Sequence, residues 1–400
     1  MPRAEPDGEP SVQTDRGSRS GDTSEPAWRI THGPRRSTDA DHGSNSGSNS
    51  GSSAAGQPRR HQPLHSQEHP LQCPHEHPRI EQDEHPRQHA DLHKRLRLCR
   101  TLRTRSPYDT AGMRTFLVAH AVSGRDEITG MRTAHAVDAP GGTAVIGIDW
   151  GEVSEGRATP GSGTYTEIPV TLDLPAASDE TPAILAARRM LDLDADPDRV
   201  TAALGDDPVL GSLLARRPGL RLPRARNLEE FALGVVIGQQ VSLAAARTLQ
   251  GRLAARYARP SPSLRAAAPG FVGAPDVACI AAAPVDELRA LGLNGARATA
   301  LHAVAGALAG GLDLGPGADH ERTRAALLAL RGIGPWSVEL IAMRALGDAD
   351  AFPAGDLILR RALASRSDRE ARARAEHWRP FRGYAAQHLW ADFLAARAAS

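Results

Sequence analysis

The segment "LRGIGPWSVE", residues 330–339, interrupts a stretch of sequence that is helical on both sides. The preceding "TRAALLAL" has apolar residues at helical spacing, and the following "WSVELIAMRAL" starts a second helix with Pro335 in the first turn. The turn between them needs the backbone freedom that Gly332 and Gly334 supply. The sequence therefore predicts a helix, a tight hairpin and a second helix.

This hairpin has the features of an anion site. A glycine-rich turn at a helix N-terminus leaves backbone amides free, and these suit one DNA phosphate. A ligand-free turn between two packed helices is the alternative for such a motif. The hairpin alone thus indicates a phosphate site without excluding a purely structural turn.

Outward from the hairpin, the chain divides into two folded regions. Residues 206–400 carry apolar residues three and four positions apart, in segments separated by Gly and Pro, and this pattern predicts an all-α domain. Residues 106–205 contain short β-branched runs separated by the turn signals "SGRD", "APGG" and "TPGSG", which predict a small domain with an antiparallel sheet. The predicted fold class is α+β.

The first 105 residues differ from both regions. They are rich in Ser, Gly, Arg, Pro and His, and they contain "GSNSGSNSGSS" and ten of the sixteen histidines. Such a composition cannot form a core that offsets the entropy of ordering the chain. Residues 1–105 are therefore predicted to be a disordered tail, and the His spacing fits no closed metal site.

Charge alone assigns no partner, because the formal net charge is only +1. Arginines cluster over residues 216–226 and 360–382, and solvated faces are the interpretation for both clusters. The only lysine is Lys94, in the predicted tail, so a lysine Schiff base is excluded from the folded part.

Cysteine usage and hydropathy bear on the compartment. Cys73, Cys99 and Cys279 are too few and too scattered for a disulfide framework or a four-cysteine cluster. No run approaches the roughly 18 apolar residues of a membrane span, and the N-terminus lacks the apolar stretch of a signal peptide. We expect a cytoplasmic, monomeric protein that does not enter the membrane.

Several further motifs accompany the hairpin in a fixed order. They are "PYDTAGMRTFLVAHAVSG", "MLDLDADP", "ARRPGLRLP", "IGQQVSLAAARTL", "LRALGL", "RGIGPWSVELIAMRALGDADAFPAGDL" and "WRPFRGYAAQHLW". In this order the chain resembles the DNA-3-methyladenine glycosylase II family, the AlkA type of helix-hairpin-helix DNA glycosylases, over residues 106–396. The resemblance implies excision of alkylated purines, of the 3-methyladenine and 7-methylguanine type, from double-stranded DNA in base excision repair.

The resemblance also implies a monofunctional enzyme that leaves an abasic site and requires no cofactor. Relatives that also cut the strand carry a lysine at the position of Trp336, and some bind an iron–sulfur cluster through four cysteines. This chain has neither feature.

Asp356, in "DAFPAGDLILRRAL", matches the family's catalytic aspartate. Base excision passes through a cationic, oxocarbenium-like sugar, and a nearby carboxylate stabilises that charge and orients or deprotonates water. The alternative for Asp356 is simple N-capping of the helix that follows it. Asp348 and Asp350 are the nearest rivals, and we interpret them as loop residues.

The family stacks the extruded base on aromatic side chains, which attract a cationic alkylpurine. Trp336 and Trp390 match aromatic pocket positions, and Phe116 matches one from the N-terminal domain. Leu340, one helical turn after Trp336, stands where the family archetype has tyrosine, so the pocket is less aromatic here. Ordinary core packing is the alternative for each aromatic residue.

The resemblance also assigns residues that contact the DNA. Gln240, with Gln239 as its neighbour, corresponds to the residue that wedges into the emptied base stack, where the archetype has leucine, and a merely structural role is the alternative. Arg331 replaces the usual proline and adds a candidate phosphate contact. The hairpin supplies the phosphate-facing amides of Gly332, Gly334 and Ser337, and the carbonyls of Leu328, Leu330 and Ile333 for a monovalent cation, Na⁺ or K⁺.

Two alternatives to this function stay open. A non-catalytic helix-hairpin-helix DNA-binding module needs only the hairpin and basic faces, whereas a glycosylase also needs the aspartate and the tryptophans. A glycosylase of the same fold for another damaged base, such as uracil or hypoxanthine, is the second alternative.

Overall fold

The computed structural model describes residues 95–157 and 163–398. Most of the predicted disordered tail, residues 1–94, lies outside the described residues. Within the described residues, an antiparallel sheet domain precedes a helical domain, which confirms the predicted α+β class.

The N-terminal domain is built on a six-stranded sheet. The strand order is β1-β6-β4-β3-β2, with β5 also paired to β6, and the pairs are antiparallel. Its strands and helices are β1 (Leu96–Arg105), α1 (Thr110–Ala119), β2 (Asp126–Thr129), β3 (Arg132–Ala139), β4 (Gly142–Asp149), β5 (Ser154–Arg157), β6 (Thr164–Leu174) and α2 (Glu180–Met190).

Strand β1 corrects the predicted end of the tail at residue 105. It pairs with β6 along its whole length, from Leu96 opposite Leu174 to Arg105 opposite Tyr165. Leu102 and Thr104 are buried and Leu98 is half-buried, whereas the intervening side chains are exposed; Arg100, on the same side as Leu102, is exposed as well. The many arginines on the outer face hid this period of two in the sequence.

Both faces of the sheet are covered. On one face, α1 and α2 pack against a core that includes Ile146, Ile168 and Leu172, each at most 1% exposed. On the other face, Val145 of β4 packs with Phe271 of the helical domain. The apolar surface of the sheet therefore joins the two domains.

The helical domain has a separate core that begins at Val200, whereas the sheet core ends at Leu193. Its helices are α3 (Pro197–Leu204), α4 (Gly211–Arg216), α5 (Leu228–Ile237), α6 (Leu243–Tyr257), α7 (Pro262–Ala267), α8 (Val277–Ala282), α9 (Val285–Ala290), α10 (Gly295–Ala309), α11 (His320–Ala329), α12 (Pro335–Ile341), α13 (Leu357–Ala362), α14 (Asp368–Arg374) and α15 (Arg382–Ala398). A π-helical turn, Ala342–Leu346, continues α12.

Buried ion pairs at the domain junction correct the interpretation of residues 216–226 as one solvated face, which holds for the exposed Arg216 but not for Arg221 and Arg226. Arg226 pairs with the buried Asp126 at 2.9 Å, and Arg221 is only 2% exposed. Beside them, the fully buried Arg125 donates to both carboxylate oxygens of Glu230 at 3.0 and 3.1 Å. These arginines fix one domain on the other, so they face the protein interior.

Candidate active site

The hairpin between α11 and α12 depends on one glycine for its shape. Gly332 has φ +86°, and a Cβ at this position would lie 2.8 Å from the Cβ of Ala300 on α10. The prediction that this residue needs glycine is therefore confirmed. The same prediction is wrong for Gly334, which has φ −108° and no atom within 4 Å of an added Cβ.

Gly334 instead matters as the N-cap of α12. A glycine has no side chain to accept from the first-turn amides, and Pro335 begins the helix. Ser337 lies in this turn and is 2% exposed, while Arg331 in the hairpin is exposed. The amide end of α12 is thus left open to an anion.

The turn after α5 lies against the hairpin. The side-chain amide of Gln239 donates to the Gly332 carbonyl at 3.2 Å and to the Ser337 hydroxyl at 3.0 Å. Gln240 is exposed and has φ +56°, so its side chain leaves the turn toward solvent. The two neighbouring glutamines therefore differ: Gln239 links the turn after α5 to the hairpin, whereas the Gln240 side chain extends into solvent.

Asp356 is the N-cap of α13 and is 8% exposed. One oxygen, Oδ1, accepts from the amides of Ile358 at 2.9 Å and Leu359 at 3.0 Å, and from the indole Nε1 of Trp390 at 3.0 Å. Within the described residues, Oδ2 accepts no hydrogen bond and Asp356 forms no ion pair. The carboxylate is held rigidly by one oxygen, and the other is available for chemistry.

A chain of polar contacts positions the loop that carries Asp356. Glu339 on α12 accepts from Arg324 of α11 at 3.2 Å and from the backbone amide of Phe352 at 3.0 Å. The hairpin helices are thereby linked to the loop before α13. Glu339 and Arg324 were not identified from the sequence, because nothing local marks a pair that acts across three segments.

The rival aspartates differ from Asp356 in their partners. Asp348 pairs with Arg324, and Asp350 pairs with Arg382 at 2.8 Å. Burial alone would raise the pKa of Asp348, but the hydrogen bonds from Arg324 and the Asp350 amide, together with the charge of Arg324, lower the pKa. Both charges are therefore compensated within the protein.

The predicted aromatic residues lie around Asp356 at different distances. Trp390, half-buried on α15, contacts the carboxylate directly. Trp336 is 7% exposed, and its Cβ would lie 3.6 Å from a Cβ added to Gly355, the residue before Asp356. Leu340 is half-buried and packs on the helical core.

Phe116 comes from α1 of the other domain and is half-buried. His120 stacks on its ring with centroids 4.0 Å apart, and the Arg344 guanidinium carbon lies 4.7 Å from the ring centroid. His120 and Arg344 therefore both contact the Phe116 ring.

Arg344 is the residue of this region that sequence reasoning missed. It lies on the π-helical turn, is 6% exposed, and its guanidinium carbon is 5.8 Å from the Trp390 ring as well as beside Phe116. Its guanidinium donates to the Pro223 carbonyl and, at 3.0 Å, to Gln387. Burial lowers the pKa of Arg344 to about 10, so it stays charged at neutral pH. The one local signal in the sequence was an arginine within the apolar run "LIAMRAL", residues 340–346.

The carbonyls at the C-terminal end of α11 offer oxygen ligands. The Leu330 carbonyl accepts from the Ile333 amide at 3.1 Å, which leaves its second lone pair free. Carbonyls in the last turn of a helix, such as that of Leu328, lack intrahelical donors. This oxygen-only set fits a hard monovalent cation, and the described residues contain no cluster of three or more His, Cys, Asp or Glu side chains.

Two features lie elsewhere. A cavity of about 290 Å³ between α3, α4 and α15 is lined by Arg217, Arg221, Tyr384 and His388, among others, and by none of the predicted site residues. No helix in residues 95–157 or 163–398 combines the length and apolar character needed to cross a membrane.

The architecture and this site define a class of protein. A family model described as the HhH-GPD superfamily base excision DNA repair protein matches residues 233–376, and the AlkA N-terminal domain model matches residues 99–227. The chain belongs to the AlkA type within this superfamily, as the two matches together and the following relatives show.

The "Probable bifunctional transcriptional activator/DNA repair enzyme AlkA" of Mycobacterium tuberculosis (strain ATCC 25618 / H37Rv) is 38% identical over 295 residues, 72% of this chain. Because the match covers 56% of that protein, the chain spans only about half of its length. The "DNA-3-methyladenine glycosylase 2" of Escherichia coli (strain K12) is 31% identical over 293 residues, 72% of this chain and 96% of that protein.

The fold recurs in solved structures. A 3-methyladenine DNA-glycosylase from Archaeoglobus fulgidus superposes with a TM-score of 0.58 at 21% identity, covering 74% of this chain and 99% of that one. A Clostridium acetobutylicum 8-oxoguanine glycosylase/lyase in complex with double-stranded DNA gives a TM-score of 0.51 at 14% identity, with 68% and 89% covered. At these identities the likeness concerns the fold.

Proposed function

We propose that this chain is a monofunctional DNA glycosylase of base excision repair, which hydrolyses the N-glycosidic bond of alkylated purines and leaves an abasic site. The observation that carries the proposal is the Asp356 carboxylate, which three donors hold by Oδ1 beside Trp390 while Oδ2 has no hydrogen-bond partner among the described residues. An aspartate that served only as a cap would not need the indole.

In the proposed reaction, the bond from the sugar C1′ to the base nitrogen breaks and both electrons go to the base. The sugar becomes an oxocarbenium-like cation, which Asp356 Oδ2 stabilises. Water adds to C1′, and its proton passes to the carboxylate and then to solvent. The products are a free base and an abasic sugar in an unbroken strand.

Base recognition rests on the aromatic side chains. We assign Trp336, Trp390, Phe116 and Leu340 to the walls of the pocket that receives the extruded base. Double-stranded DNA is the partner, and Gln240 fills the emptied stack because its position after α5 projects toward solvent. Gln239 supports this turn by its bonds to the hairpin.

The hairpin holds the DNA backbone in this proposal. The amides of Gly332, Gly334 and Ser337 bind a phosphate, and Arg331 adds a charge-assisted contact. The carbonyls of Leu328, Leu330 and Ile333 hold Na⁺ or K⁺, which would supply positive charge next to that phosphate. No other cofactor is required, and the protein acts as a cytoplasmic monomer.

A test of the function uses a duplex that contains 3-methyladenine. We expect release of the free base, an intact strand until alkali cleaves the abasic site, and no adduct trapped by borohydride, since Lys94 is the only lysine. A non-catalytic DNA-binding module would bind the duplex and release nothing. Release of uracil or hypoxanthine without any alkylated base would favour the other substrate class.

A further inference from the structure

Arg344 places a buried positive charge beside Phe116 and Trp390, the proposed walls of the base pocket. Its guanidinium carbon is 4.7 Å from the Phe116 centroid and 5.8 Å from the Trp390 centroid, and Trp390 is hydrogen-bonded to Asp356. Among the described residues Arg344 has no ion pair, and its donors go to the Pro223 carbonyl and the Gln387 amide oxygen. Neutral acceptors hold the guanidinium in place, and the charge of Asp192 acts on it without forming an ion pair.

The location of the charge relates it to the reacting base. A base attached to the sugar that faces Asp356 lies next to Trp390, so the guanidinium is within roughly 10 Å of the base. Two unit charges at that separation in a half-buried site interact by an amount that corresponds to about tenfold in rate. Whether this interaction also opposes binding of the intact nucleotide depends on the charge of the base.

Damaged purines fall into two classes by charge. A 7- or 3-alkylated purine is cationic in the nucleotide and becomes neutral when it takes both electrons of the glycosidic bond. A deaminated purine is neutral in the nucleotide, leaves as an anion, and takes a proton from solvent afterwards. In both classes the base gains one negative charge as the bond breaks, so the classes differ only relative to free DNA. A fixed cation beside the pocket opposes binding of the cationic base, and bond cleavage merely relieves that repulsion, whereas the cation does not oppose binding of the neutral base and stabilises it as it leaves as an anion.

We propose that Arg344 is a specificity-determining residue, whose charge favours excision of bases that leave as anions over cationic alkylpurines. The proposal rests on the proposed glycosylase function and refines it: the enzyme accepts both classes, and Arg344 sets the ratio between them. The guanidinium lies near both Phe116 and Trp390, so its charge acts through space on a base between these side chains.

The experiment compares second-order rate constants of base release, measured in single turnover with enzyme in excess of DNA but below saturation, for two duplexes of one sequence that contain hypoxanthine or 7-methylguanine. In Arg344→Gln we expect the ratio of hypoxanthine to 7-methylguanine release to fall about tenfold, with Arg344→Lys returning it toward the wild-type value. Gln387→Glu is the matched variant that keeps Arg344 and cancels its charge with an isosteric carboxylate. It should lower the ratio in the same direction.

A parallel fall of both rates in Arg344→Gln and Gln387→Glu would overturn the proposal, since Arg344 would then only support the rings. An unchanged ratio in Gln387→Glu would overturn it as well, and this variant serves if Arg344→Gln does not fold. If the wild-type protein released neither base, the glycosylase function itself would fail. The two failures are therefore distinguishable.

Discussion

The hairpin and the Asp356 centre use one backbone device, a helix N-terminus, in opposite ways. At α12 the N-cap is Gly334, which has no side chain and leaves the first-turn amides open. At α13 the N-cap is Asp356, whose carboxylate accepts from two first-turn amides. An open cap attracts an external anion, and a filled cap presents a fixed one. The comparison teaches that binding and chemistry are assigned to different helix ends.

The largest expected effect comes from neutralising the Asp356 carboxylate that caps α13. In Asp356→Asn we expect base release to fall about 1,000-fold, because the lost charge acts on the sugar cation in the transition state. Affinity for abasic DNA should stay within about threefold, since asparagine is also a good N-cap. Single-turnover release and duplex binding measure the two quantities.

Asp276 supplies the matched control. It caps α8 through the amides of Ala278 and Cys279, as Asp356 caps α13, but it lies outside the proposed site. Asp276→Asn should keep wild-type base release. Equal losses in the two variants would mean that Asp356 is only a helix cap.

The second variant converts the open cap into a filled one. Gly334→Asp fits sterically, since no atom lies within 4 Å of an added Cβ, and the new carboxylate would occupy the amides of α12. We expect DNA affinity to fall about 30-fold by repulsion of the phosphate, equally for all sequences, while the melting temperature holds or rises. Gly334→Ala is the control, with near-normal affinity. Unchanged binding in a folded Gly334→Asp protein would show that no phosphate occupies this turn.

The third variant distorts the hairpin without adding charge. Gly332→Ala must adopt φ near +86° and bring its Cβ close to the Ala300 Cβ. The resulting shift of the turn should weaken binding about tenfold and lower the melting temperature. If Gly332→Ala binds and melts as the wild type does, the hairpin tolerates another backbone shape and the geometric argument fails.

The smallest effect is expected when the Gln239 hydrogen bonds that link the α5 turn to the hairpin are removed. Gln239→Leu removes donors to the Gly332 carbonyl and the Ser337 hydroxyl, so DNA affinity should fall about threefold in filter-binding or anisotropy titrations. Gln240→Ala removes the projecting neighbour instead. If Gln239→Leu lost far more affinity than Gln240→Ala, Gln239 would be the wedge.

Local signals in the sequence predicted the hairpin well. The hairpin is marked by Gly332 in its turn, by Pro335 at the start of α12 and by the apolar periods of the two helices. Each of these signals acts within a few residues. The detail that failed was Gly334, because its motif position does not reveal its φ. Strand β1 was missed for a related reason, since its exposed arginines mask the alternation that marks a strand.

The Asp356 centre depends on contacts between residues that are distant in sequence. Asp356 was identified through its motif, but its bond to Trp390 and the Glu339 bridge to Phe352 join separate segments. Arg344 was not identified because one arginine in an apolar helical run does not reveal which distant side chains it contacts. Only the packing of Phe116 from the other domain gives it a role.

The central claim is that Asp356 acts on positive charge at the sugar, and binding to charged and uncharged sugar analogues tests it most directly. One duplex carries a cationic pyrrolidine in place of the damaged nucleotide, and the other carries a neutral tetrahydrofuran abasic site. The wild-type protein should prefer the pyrrolidine duplex by about tenfold or more, and Asp356→Asn should lose that preference while binding the tetrahydrofuran duplex normally. An equal preference in both proteins would contradict the account.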